Sequence, residues 1–108
     1  MTRTNLSFAS AVVLQAVAGG YRYGFDIMDA SGLPGGTVYP ALRRLERAGY
    51  VKSKWEANTV AKEAKRPRRR YYEITRTGSD ALAAALKRFP LLRQPLPAGP
   101  AASEAVET

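Results

Sequence analysis

The sequence predicts a mainly α-helical fold with one small two-stranded antiparallel sheet, on three observations. Residues 35–51 join a glycine-rich turn to an amphipathic helix, a glycine stop and the start of a strand. Residues 51–56 alternate, with Val51, Ser53 and Trp55 on one face and Lys52, Lys54 and Glu56 on the other. Tyr71, Tyr72, Glu73 and Ile74 have the aromatic and β-branched character of a returning strand.

Taken in order, residues 7–18 read as an apolar helix in which Phe8, Ala11, Val12 and Leu14 contribute to burial and Val13 and Val17 widen the buried arc. A helix apolar over so much of its circumference is covered on more than one side. Gly19 and Gly20 end it. Residues 24–30 form a short second helix, with Ile27 and Ala30 inward and Asp26 in the first turn, where a negative charge suits the helix dipole. Residues 31–36 are the turn into the third helix. There Val38, Leu42 and Leu45 repeat at the spacing that stacks side chains on one face. Pro40, Arg43 and Arg47 lie opposite, with Thr37 and Arg44 on one flank and Tyr39 on the other. Because Pro40 lacks the N–H that would close a normal turn, the opening of this helix, residues 34–39, is expected to be irregular.

Between the two strands, residues 57–70 carry Lys62, Lys65, Arg66, Arg68, Arg69 and Arg70 against a single acid, Glu63. Like charges in a run repel, so this loop is expected to stay mobile unless a polyanion neutralises it. Thr75 is a good N-cap, and residues 76–89 then run as a last helix with Leu82, Ala85, Leu86 and Phe89 in one stripe. Pro90 stops it, and Pro95, Pro97 and Pro100 leave residues 95–108 to be read as disordered. Leu91, Leu92 and Leu96 are candidates to dock on a second subunit. The organisation is thus a winged helix-turn-helix in residues 1–75, a C-terminal helix in 76–90 and a Pro/Ala-rich tail in 91–108.

Charge and composition narrow the function. One chain of 108 residues is a single domain with a modest core. Residues 43–76 hold twelve basic residues and four acidic ones, which accounts for the whole net charge of +8. A field concentrated in this way attracts a polyanion, and an arginine-bearing helix beside a basic loop is suited to DNA, the helix in the major groove and the loop on phosphates. With no cysteine and no histidine, disulfides and the usual soft-metal sites are excluded and acid–base catalysis loses its commonest residue. Asp26 and Asp29 read as solvated helix charges, and Ser31, Ser53 and Ser79 have no base beside them, so no catalytic constellation and no cofactor is expected. The longest apolar stretch is too short to cross a bilayer and there is no signal-peptide pattern, which points to the cytoplasm.

Several segments together resemble the PadR family of transcriptional regulators. They are residues 23–27, residues 36–46 with the Tyr39-Pro40 pair inside the helix, Gly49-Tyr50-Val51, Trp55-Glu56, and residues 69–75 with Tyr71-Tyr72 after the basic loop. The likeness runs in order from about Leu6 to Leu86. It implies a homodimeric winged helix repressor on a palindromic operator, dimerised largely through the last helix with help from the first, and often responsive to a small aromatic effector. On that reading Thr37, Tyr39, Pro40 and Arg43 meet the major groove, and Arg44 and Arg47 reach phosphates or base edges. Lys65, Arg66, Arg68, Arg69, Arg70 and Tyr71 act from the wing, and Arg22 with Tyr23 holds phosphate at the second helix's N-terminus. The seam between subunits is assigned to Phe8, Val12, Leu82, Ala85, Leu86 and Phe89, with no metal. No tryptophan follows Trp55, so an aromatic-lined pore between subunits is not expected. Trp55 itself has two readings, an effector-stacking platform or, favoured, packing on the core beneath the wing. Tyr72 is expected inward and Tyr71 free. Two alternatives stand beside the repressor: a nonspecific DNA- or RNA-binding architectural module, and a protein-interaction adaptor.

Overall fold

A computed structural model describes residues 6–93. Ser7 caps the first helix by accepting the Ser10 N–H at 3.1 Å, and α1 runs Phe8–Ala18. Ala11, Val13, Leu14, Ala16 and Val17 are all buried, as the all-round apolar pattern requires. The second and third helices are α2, Gly24–Ser31, and α3, Gly35–Arg47. Val38, Leu42 and Leu45 on α3 are at most 1% exposed and pack with Leu14, Val17 and Ile27 from the two preceding helices. Burying each such side chain is worth about 1.5–3 kcal/mol, so this stripe sets the rotation of α3 and turns its arginines outward.

The expected irregular opening of α3 is corrected by the structure. Pro34 is the N-cap and the helix is regular from Gly35 through Pro40. Proline at 40 removes one intrahelical bond, the one to the Gly36 carbonyl, and Gly36 is exposed, so water can take that carbonyl. At the far end Gly49 adopts φ 82°, the Gly49 N–H reaches the Glu46 carbonyl and the Tyr50 N–H the Leu45 carbonyl. This paired closure ends α3 and aims the chain directly into a strand.

Strand β1, Val51–Trp55, pairs antiparallel with β2, Arg70–Ile74, in the register Val51↔Ile74, Ser53↔Tyr72 and Trp55↔Arg70. The Tyr72 N–H also donates to the Arg22 carbonyl at 2.9 Å, tying the wing to the segment before α2. The intervening loop is not irregular throughout. A short helix, α4, spans Asn58–Glu63 with Ala61 buried beneath it. It closes on Lys65 at φ 58°, with Arg66 N–H bonded to the Ala61 carbonyl. This is the same closure that ends α3, here made by a lysine. The charge run hid this helix, because only Ala61 of its six residues is buried and no apolar stripe marks it.

Helix α5, Arg76–Arg88, is capped by Thr75, whose hydroxyl accepts the Gly78 N–H at 3.0 Å. Ala81 and Leu82 pack on the main core, so α5 is part of the domain rather than an appendage. Ala85 joins Ala11 and Leu92 in a second buried cluster, flanked by Leu6, Val12, Leu86 and Phe89. The chain beyond α5 departs from the expected tail at residues 91–93. Pro90–Arg93 form a 3-10 turn that folds Leu92 back on its own subunit, 3% exposed, with the Leu92 carbonyl accepting from Gln15. Leu96 and the region 95–108 lie outside the described residues.

Close approach of α5 to the start of β1 rests on one glycine. A Cβ at Gly78 would overlap the Tyr50 carbonyl and crowd Ile74, and neither a backbone carbonyl nor a strand can step aside cheaply. Gly78→Ala is therefore expected to destabilise the domain by about 3 kcal/mol, at the upper end of overpacking effects. In a domain of this size that lowers the melting temperature by on the order of 10–20 °C. The neighbouring exposed Ser79→Ala should leave it nearly unchanged, and equal melting of the two variants would show that α5 can shift to accept the methyl.

Candidate nucleic-acid interface

Strand alternation divides the wing into two faces. Val51, Ser53 and Trp55 share a face with Ile74, Tyr72 and Arg70, and this face continues that of α3. Val51 and Tyr72 at its base are in the core; burial pushes the Tyr72 phenol's pKa up. Higher on the same face, Ser53 donates to Glu46 of α3 at 2.7 Å, and Arg70 donates to Ser53 at 2.9 Å and to Glu46 at 3.4 Å. Arg43, Glu46, Arg47 and Arg70 thereby line one open groove of about 450 Å³ between the third helix and the wing. Arg43 and Arg47 are exposed there, and Glu46 orients Arg70 rather than neutralising all three.

The other face is organised by a buried acid. Glu56, the residue after β1, is 5% exposed. Its carboxylate accepts two bonds from Arg66, at 2.6 and 3.0 Å, and one from the Arg69 N–H at 3.0 Å. It also accepts from the Arg69 guanidinium at 3.3 Å and from the Tyr23 hydroxyl at 3.2 Å. A buried carboxylate is tolerable only when paired and fully hydrogen-bonded, and this one is. The Arg66 bond holds its pKa at about 2, below the ordinary 4.5, against the opposing effect of burial. Arg66 in turn is held more firmly protonated by the same bond.

The sequence-predicted residues therefore do not form one surface. Arg43, Arg47 and Arg70 come together, with Arg68 beyond Arg70 on the same face. Thr37 and Pro40 are half-buried on α3. Tyr39 is 41% exposed, and its ring lies so near the first turn of α2 that a Cβ on Gly24 would strike it. Arg44 turns away to donate to Ser10 of α1 at 3.2 Å. Tyr23, Arg66 and Arg69 belong to the Glu56 cluster, with the Arg69 guanidinium 3.9 Å from the centre of the Tyr23 ring. Tyr71 is not free: it is half-buried and pairs with Tyr23, ring centres 6.2 Å apart. Arg22 and Lys65 are exposed.

Trp55 corrects the favoured expectation. It does not pack on the core but is 54% exposed, with the Arg68 and Arg70 guanidiniums 5.6 and 5.8 Å from its ring. The residue that alternation sends to the packed side at that end of the wing is Glu56, which sequence reading left as an ordinary charge. Its signals were its place at the end of the first strand, where the basic loop begins, and its pairing with Trp55 in the segments that resemble the family. Of the residues assigned to a seam between subunits, Phe8 and Phe89 meet edge-to-face within one chain at 5.2 Å, and Val12, Ala85 and Leu86 share the cluster around Leu92. Leu82 packs on the main core.

Because the folded Glu56 value lies below the ordinary one, its stabilisation is complete above about pH 4.5 and is lost as pH falls towards about 2. Trp55 is the single tryptophan and sits beside this cluster, so its fluorescence should report wing loosening in that window. Glu56→Gln should abolish the acid transition in the emission; a transition that persists unchanged in that variant would mean another carboxyl controls the wing.

The fold has counterparts among known proteins. The fold resembles a PadR family transcription regulator from Clostridium difficile, with TM-score 0.66 and 22% identity over 82% of this chain and 93% of that one. It also resembles a transcriptional regulator from Clostridium thermocellum, with TM-score 0.65 and 23% identity over 93% and 91% of the two chains. A zinc-responsive MarR family member from Lactococcus lactis shares the fold more distantly, at TM-score 0.61 and 16% identity over 86% of this chain and 62% of that one. No curated protein sequence matches the chain. Among the described residues no helix is long and apolar enough to cross a membrane. The model of the transcriptional regulator PadR-like family matches residues 13–84, from α1 through the wing into α5, and the chain belongs to that family.

Proposed function

We propose that this regulator is a sequence-specific, DNA-binding repressor of the cytoplasm that acts as a homodimer on a palindromic operator and is released by a small ligand. The observation that carries the reading is the groove between α3 and the wing, where Arg43, Arg47 and Arg70 converge without a neutralising acid for each. Apolar packing holds α3 with this side outward, which suits insertion into a major groove while the wing contacts the flanking backbone. Thr37, Tyr39, Pro40 and Arg43 are assigned to base edges, and Arg47, Arg68, Arg70, Arg22 and Lys65 to phosphates. Arg66, Arg69, Tyr23 and Tyr71 support the wing from behind, and Arg44 braces α3 on α1.

A second copy is supported by the apolar rim of the α1–α5 cluster. Phe8 is 44% and Leu91 73% exposed beside half-buried Val12, Leu86 and Phe89. Release by a ligand is supported by a cavity of about 250 Å³ behind α3, lined by Leu6, Ser7, Ser10, Arg44, Leu45, Ala48 and Tyr50. An occupant there would press on the helix that reads the bases, and the apolar walls suit a small aromatic compound. Selection of bound genomic fragments, followed by competition with shuffled duplexes, tests the reading: no preference for any fragment over its shuffled version would leave a nonspecific module, and no binding at all an adaptor.

Three outcomes are expected in solution. A dimer making about six to ten phosphate contacts should lose roughly three to five decades of affinity between low and moderate salt. Arg47→Ala should lessen that slope by about one and weaken all sequences alike, whereas Arg43→Ala should lower discrimination between operator and shuffled DNA by about 1–3 kcal/mol. Identical behaviour of the two variants would remove the division of roles along α3. Leu91→Asp alters an exposed side chain, so it should leave the fold intact and yield monomers on sedimentation; a surviving dimer would place the seam elsewhere.

A further inference from the structure

Trp55 is the one tryptophan of the chain, yet it is left 54% exposed at the outer end of β1. Alternation places it on the face shared with Ser53 and Arg70, the side that also carries the arginine groove. The two cations beside its ring are held in place. Arg68 donates through Nε to the Glu56 carbonyl at 2.9 Å, and Arg70 donates through Nε to Ser53 at 2.9 Å. Both guanidiniums lie over the ring, 5.6 and 5.8 Å from its centre, and the indole surface they leave exposed is an apolar patch beside two anion sites. The sugar–phosphate backbone of DNA offers the complement, deoxyribose rings between phosphates.

The spacing fits that occupant. Trp55 lies four positions along the strand from Val51 at the foot of α3, a reach of about 13 Å. The major groove is about 12 Å wide, so with α3 in the groove the end of β1 comes over the backbone that bounds it. We propose that Trp55, framed by Arg68 and Arg70, is the wing's contact platform for DNA: the indole packs on deoxyribose and the two guanidiniums take the adjoining phosphates. This rests on the DNA-binding reading above and adds to it a residue whose contribution is affinity, independent of base sequence.

The test uses the full chain and two mixed-sequence duplexes, one A·T-rich and one G·C-rich, at low salt. Unlabelled duplex should quench or shift Trp55 emission, and Trp55→Ala should weaken both labelled duplexes by about the same factor, on the order of tenfold. Trp55→Phe, which keeps an aromatic plane, should recover part of that loss. Binding seen by anisotropy with unchanged Trp55 emission and full affinity in Trp55→Ala would overturn the platform while leaving DNA binding in place. A loss in Trp55→Ala confined to one duplex would also overturn it, because the contact would then read bases. No anisotropy change with either duplex would overturn both the platform and the DNA-binding reading.

Discussion

Glu56 has to be paired. Almost excluded from water, its carboxylate would be strongly unfavourable without partners, and it recruits them from both sides of the wing and from the start of α2. Strand geometry then has no freedom left: a residue that points towards Tyr23 and Arg69 forces its neighbour to the opposite face, and that neighbour is Trp55. The same constraint sorts the basic run. Arg69 stands opposite Glu56 and is drawn to it, Arg66 closes over it from the end of α4, and Arg68 and Arg70 fall on the Trp55 side. One buried acid thus converts a like-charged loop into a shaped element before any DNA arrives.

Such preorganisation changes what the wing charges do. A flexible cationic loop must be ordered at the moment of binding, and each immobilised long side chain weakens association. Here the helix α4, its closure at Lys65 and the Glu56 cluster order the loop within the free protein. Glu56 offsets one positive charge of the wing, and in exchange the remaining guanidiniums have defined positions. Glu46 works similarly on the opposite face, where it and Ser53 steer Arg70 towards Arg43 and Arg47.

Helix α3 shows how packing and exposure divide one element. Its buried stripe reaches α1 and α2, while Arg44, one residue from Arg43, is turned back onto Ser10. Adjacent helical positions differ by about a quarter turn or more, so consecutive arginines cannot both lie in one groove. The cavity behind α3 shares Arg44 and Ser10 with this contact. Its α3 lining, Arg44 and Leu45, lies off the side that carries Arg43 and Arg47.

The sequence by itself determined the order and type of most elements, the buried stripe of α3, the cap at Thr75, the strand pair and the family. These depend on periodicity and short-range chemistry, which act between residues a few positions apart. It also located the positive charge within residues 43–76. Which of those cations remain available was decided only by the tertiary structure, because the partners are distant in the chain. Arg66 and Arg69 meet Glu56 across 10 and 13 positions, Arg70 meets Glu46 across 24, and Arg44 meets Ser10 across 34. The exposure of Trp55 has the same origin: hydrophobicity alone would bury it, and the pairing demand of the acid beside it turns it to the opposite face of the wing.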